Sequence, residues 1–225
     1  MALYIVATPI GNLKDITLRA LDILRDVDII AAEDTRVSRK LLIKYDIRKT
    51  VISYHEHSPE KVILNIINLL EGGKNIAYIV DAGTPGISDP GNYLVRKVSE
   101  LAPDVSIIPI PGPSALTAAI SISGLQGSQF LFLGFPPHKK GRRAFFEQVV
   151  ASKQSVVLYE SPYRILRTLK DLSDIGLSMF ECVLIKEISK VYETILRMSI
   201  VELHQKISEE KKVRGEFVLV INKKT

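Results

Sequence analysis

A single cysteine, Cys182, among 225 residues rules out an internal disulfide. The fold must therefore rest on packing. Apolar Val183, Leu184 and Ile185 follow it, so the thiol reads as a small core group. A disulfide-free chain suits a reducing compartment, and the expected location is the cytoplasm. One cysteine and four scattered histidines assemble no zinc-ligand spacing, so no metal is expected. His55 and His57, on either side of Glu56, read as solvent-facing or substrate-edge residues. Long apolar runs are also missing. The start, MALYIVATPIGNL, has no basic leader and reads as a first strand. Nothing later reaches the ~18 uncharged apolar residues of a membrane helix, so no membrane span is expected. There is no G-x-x-x-x-G-K-[ST] phosphate loop, no G-x-G-x-x-G after a strand, no short repeat and no low-complexity tract.

What is present has ordinary globular proportions, 46% hydrophobic and 24% charged, enough for one large domain or two small ones. The net charge of +5 is unevenly spread: residues 1–112 hold 13 Lys/Arg and 14 Asp/Glu, residues 113–225 hold 17 and 11. A basic second half points to an anionic partner met by one part of the protein.

The first half alternates short apolar strands, at 3–7, 27–31, 50–53, 76–80 and 105–109, with amphipathic helices. Helices are expected at 17–25, from Ser58 as N-cap to a stop at Gly72–Gly73, and at 89–101. Strand–helix alternation implies parallel pairing. Three prolines and a glycine at 109–113, in IPIPGPSA, exclude helix and mark a domain boundary, after which Ser114 caps a helix to about 122. The second half predicts strands at 130–133, 155–159, 181–188, 192–197 and 216–221, with a hairpin over 181–197. Its helices fall at 140–152, 162–173 and 199–208, the last with a capping box from Ser199 to Glu202. The expected fold class is α/β in two domains: 1–112 with a mainly parallel sheet and 113–225 with a mixed sheet.

Three Pro/Gly-rich loops follow apolar strands: TPIGN (8–12), DAGTPGISDPG (81–91) and PIPGPSA (109–115). Ligands of open parallel sheets bind beyond the carboxyl ends of the strands, where glycine lets backbone approach a ligand and proline stiffens the loop. The motifs LYIVATPIGNLKDIT, AAEDTR, DAGTPGISDPG, PIPGPSA, YESPYR and RGEFVLVI, spread from Leu3 to Ile221, resemble the tetrapyrrole-methylase superfamily. Within it they are most similar to the small-subunit ribosomal RNA (cytidine-2′-O)-methyltransferases of the decoding centre. That resemblance implies S-adenosylmethionine in a cleft between the two domains, a homodimer, and ribosomal RNA or the assembled small subunit as substrate. It carries cofactor contacts onto Ile10, Gly83, Thr84, Pro85, Ile87, Ser114, Ala115, Tyr159, Gly215, Glu216 and Phe217. Asp81 is either a partner of the cofactor's positive sulfonium or amino group, or a turn aspartate capping its own loop.

Methyl transfer to a hydroxyl is an in-line displacement, so alignment and exclusion of water come first; a base adds ~10²–10⁴-fold. Asp34, Glu160 and Glu187 are carboxylates at strand ends in the matched motifs. Glu160 is expected at the cleft mouth as a base, or else in an ion pair with Arg164. Lys186 and Lys190 could lower the hydroxyl's pKa or meet phosphate. For RNA, the loop after GFPP offers His138, Lys139, Lys140, Arg142 and Arg143, and Arg164 is counted with them. A second cluster, Arg36, Arg39, Lys40 and Lys44, shares one helix face. Tyr54 and Tyr163 are possible stacking surfaces, with a core role expected of each. Other readings are a tetrapyrrole or diphthamide-precursor methylase of the same fold, or a non-catalytic RNA-binding protein; the basic second half argues against the two methylases.

Overall fold

A computed structural model describes residues 1–125 and 128–223. The chain divides into two compact units, Met1–Ser114 and Ala115–Thr225. In the first, strand β1 (Ala2–Val6) leads through helix α1 (Leu18–Asp26) to β2 (Ile29–Ala32), α2 (Thr35–Lys44), β3 (Thr50–Ser53), α3 (Glu60–Glu71), β4 (Ile76–Ile79), α4 (Gly91–Leu101) and β5 (Ser106–Ile110). The sheet is wholly parallel in the order β3-β2-β4-β1-β5. All four residues of β4 are buried, as a central parallel strand covered on both faces requires.

The chain travels outward from β1 to β3 and then back through β4 to β5. Right-handed crossovers therefore place the first two helices on one face and the next two on the other. The cores agree. Leu21 and Leu24 of α1 and Leu41 and Leu42 of α2 pack with Val6, Ile30 and Ile79. Ile63, Ile66 and Leu70 of α3 and Leu94 and Val98 of α4 pack with Leu3, Ile76 and Tyr78. Truncating any of these buried leucines or isoleucines to alanine should cost about 2–5 kcal/mol. Neighbouring β1 and β4 send their chains to opposite faces, and at such a switch an open α/β sheet leaves a crevice at the strands' carboxyl ends.

Side-chain caps set the starts of α1 and α2. The Thr17 hydroxyl accepts from Ala20 N at 3.1 Å, and the Asp34 carboxylate accepts from Arg36 N at 2.8 Å, so each caps its helix. Ser58 does not cap α3 as expected. Its hydroxyl accepts from His55 N at 2.9 Å and closes the preceding turn, leaving Pro59 at the cap position without a side-chain bond.

The second unit runs α5 (Ala115–Ser123), β6 (Phe130–Gly134), α6 (Arg142–Ala151), β7 (Ser155–Glu160), α7 (Ile165–Leu172), β8 (Glu181–Lys186), β9 (Thr194–Ser199), α8 (Ile200–Ser208) and β10 (Phe217–Ile221). Its sheet is mixed, in the order β6-β7-β10-β8-β9: β6 and β7 are parallel and the other pairs antiparallel. The expected hairpin is β8–β9, and Ser199 and Glu202 form the capping box of α8. Helix α7 begins at Ile165, later than expected, because residues 161–164 close a turn in which Ser161 O accepts from both Arg164 N and Ile165 N. Helices α6, α7 and α8 cover one face of the sheet, and α5 packs on the other. Cys182 is buried in β8, where burial pushes its thiol pKa up. Among the described residues, no helix is long and apolar enough to cross a membrane.

Candidate active site

In the first unit the three glycine- and proline-bearing loops meet at the carboxyl edge of the sheet. Past the end of β1, Thr8 and Gly83 form an antiparallel bridge, with Thr8 N donating to Gly83 O at 2.9 Å and Gly83 N to Thr8 O at 3.0 Å. The Thr8 hydroxyl donates to Val80 O at 3.0 Å. The third loop is tied in by the Thr84 hydroxyl, which donates to Pro113 O at 3.0 Å. Gly83 has φ +89°, in the left-handed region, and a Cβ there would stand 3.5 Å from Ile10 Cγ2 and 3.9 Å from Pro113 O, occupying the hollow those atoms line. Ile10 and Ser114 are buried beside these loops, and Ala115 opens α5.

The turn Gly86–Gly91, which contains Ile87, is organised by Asp89. Its carboxylate accepts from Gly86 N at 2.8 Å, Ile87 N at 3.0 Å and Gly91 N at 2.7 Å. Pro85 is buried against this turn, where a Cβ on Gly91 would lie 3.2 Å from its Cβ. Sequence reasoning passed over Asp89 and Thr8. An aspartate followed by Pro-Gly in a turn was the available signal for the first.

Acidic groups line the neighbouring β2 and β4 ends. Asp81 accepts from Asp34 N at 3.1 Å, and Glu33 accepts from Asp81 N at 3.4 Å. Partial burial lifts both the Asp81 and Glu33 carboxyls above their ordinary values, despite those amide bonds. Asp34 lies oppositely: the hydrogen bonds from Arg36 bring it down to about 2. Arg36 is therefore paired, with its Nη2 2.6 Å from Asp34. Arg39, Lys40 and Lys44 are exposed on α2, as their spacing predicted, while Ser38, Leu41 and Leu42 face inward.

In the second unit, strand register gathers the remaining motifs at one sheet edge. Phe217, the first residue of β10, pairs with Glu160 at the end of β7 and with Lys186 at the end of β8. Gly134 at the end of β6 pairs with Leu158. The GFPP loop, the YESPYR turn, the loop after Lys186 and the turn before Phe217 therefore all leave the same edge.

Glu160 overturns the expectation of a base at a cleft mouth. Its side chain is wholly buried, accepting from Thr168 Oγ1 at 2.6 Å and Ser161 N at 2.7 Å, with Arg164 Nε at 2.9 Å. The open alternative, an ion pair with Arg164, is the arrangement observed. Arg142 and Arg164, counted toward RNA, turn inward as well. Arg142 is buried and bonds Asp171 at 2.7 Å, Thr168 at 2.9 Å and the carbonyl of Pro137 at 2.9 Å. Arg164 bonds the carbonyl of Pro136 at 2.9 Å, and Arg167, which sequence reasoning missed, bonds that of His138 at 3.3 Å. Three arginines thus hold three consecutive carbonyls; Glu160 pairs with Arg164, while Asp171 is shared by Arg142 at 2.7 Å and Arg167 at 3.9 Å. Beyond this clamp Lys139 and Lys140 are exposed, and exposed Arg143 pairs with surface Glu147 at 2.9 Å.

Lys186 forms an ion pair with Glu210 at 2.7 Å. Glu187 accepts from Lys190 Nζ at 2.8 Å and from Glu216 N at 2.9 Å. Burial alone would raise the Glu187 carboxyl, but these bonds outweigh it and the net shift is downward. Glu187 and Ser189 have φ +54° and +64°, an uncommon conformation for residues with a side chain. Tyr159 stacks edge-on between Phe132 and Phe135, with ring centroids 4.9 and 5.5 Å away. Tyr54 is buried, as expected, edge-on to Tyr78; Tyr163 is 93% exposed and so is no core residue. His55 and His57 are exposed, and no cluster able to hold a metal occurs among the described residues.

A parallel unit with ligand loops at a topological switch, joined to a mixed-sheet unit, defines a class. The chain belongs to the tetrapyrrole (corrin/porphyrin) methylases, whose family pattern matches residues 2–204. It is a methyltransferase. More particularly, it is 43% identical over 222 residues to the ribosomal RNA small subunit methyltransferase I of Thermotoga maritima, covering 99% of this chain and 98% of that one. The protein of the same name from Pseudomonas aeruginosa is 42% identical over 221 residues, covering 97% of this chain and 78% of its relative. Among solved structures, a diphthine synthase superposes with a TM-score of 0.75 at 15% identity over 99% of this chain and 90% of that one, a likeness of fold alone.

Proposed function

We propose that the chain transfers a methyl group from S-adenosylmethionine to the 2′-hydroxyl of a cytidine in small-subunit ribosomal RNA. The observation that carries the donor half of this reading is the Thr8–Gly83 bridge. It joins the first two loops at the switch of the parallel sheet, the Thr84–Pro113 bond brings in the third, and beside Gly83 they leave a hollow that a Cβ would fill. The donor set there fits a cationic nucleoside: apolar Ile10, the backbone of 83–87, Ser114 and Ala115, and the Asp81 carboxylate. By the family resemblance, Tyr159, Gly215, Glu216 and Phe217 are also proposed as donor contacts. When bound, the donor supplies a methyl group already activated by the positive charge on sulfur.

The chain's own work is alignment and exclusion of water, which can contribute ~7–11 kcal/mol. Glu160 is committed to its buried network, Lys186 to Glu210, and Glu187 to Lys190 and the Glu216 amide. None is a free base at the edge, so the 2′-hydroxyl proton leaves late, to solvent. The recipient half rests on Lys139, Lys140 and Arg143, held outward at the sheet edge, with the cations Arg39 and Lys40 on α2 as a second contact for phosphate. A tetrapyrrole substrate would want a broad apolar bowl, and exposed lysines at this edge oppose it. The protein is proposed to act in the cytoplasm as a homodimer, on free RNA or on the assembled subunit.

Titration calorimetry should show S-adenosylhomocysteine binding near one site per chain. Nucleoside mass mapping of ribosomal RNA from cells lacking the gene should show one 2′-O-methylcytidine missing and restored on complementation. A full set of ribose methylations in those cells would overturn the reading; a chain that binds RNA without the nucleoside would be a non-catalytic RNA binder. Light scattering should give about twice the 25.1 kDa chain mass.

A further inference from the structure

Tyr163 is 93% exposed, yet its backbone is held on both sides. Glu160, wholly buried, fixes the turn before it through Ser161 N, and Ser161 O accepts from Arg164 N and Ile165 N at 3.1 Å each. The guanidinium of Arg164 bonds the Ser161 hydroxyl at 3.2 Å and the Pro136 carbonyl at 2.9 Å. The same guanidinium lies 5.9 Å from the centroid of the Phe135 ring, itself half exposed. One buried network therefore fixes the tyrosine turn and the start of the Lys139–Lys140 loop together. A bare aromatic on a fixed turn, tied through Arg164 to the loop that carries the exposed lysines, offers what a single-stranded nucleic acid recognises: a π-face for a base and cations for the flanking phosphates.

We propose that Tyr163 is the platform on which an unstacked base of the RNA substrate lies. Sequence-specific RNA recognition targets unstacked bases of single-stranded segments, and each base–aromatic contact strengthens single-strand binding. The assignment rests on the RNA reading above and deepens it.

The chain contains no tryptophan, so Tyr163→Trp installs a single fluorophore at the site. Met179→Trp is the control: Met179 is 78% exposed and precedes β8, at the opposite end of the sheet from the Lys186 edge. An unstructured oligoribonucleotide should quench the Tyr163→Trp emission and leave the Met179→Trp emission unchanged. Tyr163→Ala should weaken that RNA by about 5- to 100-fold with its salt dependence intact, because stacking releases no counterion, and Tyr163→Phe should retain affinity. Parent-like affinity in Tyr163→Ala together with an unquenched Tyr163→Trp overturns the platform alone. A parent chain that binds no RNA overturns the functional reading and the platform with it. Loss of dimer mass in Tyr163→Ala overturns the platform in favour of a contact between copies.

Discussion

A Cβ on Gly215 would stand 2.5 Å from Cγ of Glu187, closer than non-bonded carbons approach, so one of the two must shift. Gly215 also has φ +93°. Its backbone is thus the surface on which Glu187 lies while accepting from Lys190 and Glu216. Gly215→Ala should push Glu187 off these partners. The expected cost is about 1–3 kcal/mol in urea unfolding, with the Glu187 carboxyl returning toward its ordinary value. Unchanged stability would show that the turn has room to move.

At the other loop cluster, Gly83→Val places a β-branched side chain at φ +89° and into the hollow beside Ile10. Binding of S-adenosylhomocysteine and methyl transfer should both be abolished, while circular dichroism still reports a folded chain. Retained affinity would move the donor away from this loop.

The acids near Asp34 should show opposite pH signs. Asp34 is held at about 2, below its unfolded value of 3.8, so its contribution is complete above that value and is lost as pH falls through about 2. Asp81 and Glu33 are raised, so ionising them opposes folding, and stability rises as pH falls through their raised values toward the ordinary carboxylate range. Thermal melts should therefore show Asp81→Asn gaining on the parent near neutral pH and Asp34→Asn losing. The same sign for both variants would contradict this account.

Much of this was legible because it is local. Alternating apolar strands and helices gave the parallel unit, and the Ser199–Glu202 spacing gave a capping box that the fold contains. The α2 cations fell on one exposed face because helix periodicity alone decides that. The failures concern where a polar group spends its hydrogen bonds. Ser58 could cap a helix or close a turn, and only the position of His55 N decides. Glu160 and Arg142 carry the residue types of a site, but their partner Thr168 lies 8 and 26 residues away, where no local pattern reaches. Arg167 and Asp89 went unnoticed for a related reason, since their roles lie in loop carbonyls and amides that sequence does not display. Tyr163 failed in the other direction: hydrophobicity suggested core, and the fixed turn left it bare.

Glu160→Gln tests whether that buried carboxylate is structural. Losing its charge leaves Arg164 without its ion-pair partner and weakens the Thr168 link. A loss of about 3–5 kcal/mol in unfolding free energy is expected, the range for breaking a buried pair. The single-turnover rate of the folded fraction, at saturating RNA and donor, should stay within about tenfold of the parent. A loss of the ~10²–10⁴-fold that a general base supplies, with stability unchanged, would restore Glu160 to chemistry.

The loop cations separate contact from architecture most sharply. Lys139, Lys140 and Arg143 are exposed, whereas Arg142 is buried on Asp171, Thr168 and the Pro137 carbonyl. Counterion release makes the logarithm of RNA affinity fall with the logarithm of salt, by about 0.7 for each phosphate neutralised on a single strand. Changing Lys139, Lys140 and Arg143 together to alanine should flatten that slope by about 2, leaving the melting temperature nearly unchanged, because no buried group loses a partner. Arg142→Ala should do the reverse at first order. It leaves Asp171 and the Pro137 carbonyl short of a donor, lowers the unfolding free energy by about 3–5 kcal/mol, and weakens RNA only as far as the loop it supports is released. Affinity measured from low to moderate salt, alongside thermal melts, distinguishes the two. If the triple variant keeps the parent slope, the exposed lysines are plain solvated surface and the RNA lies elsewhere. If Arg142→Ala flattens the slope with stability intact, its guanidinium reaches phosphate despite its burial, and the clamp of three carbonyls does not hold the loop.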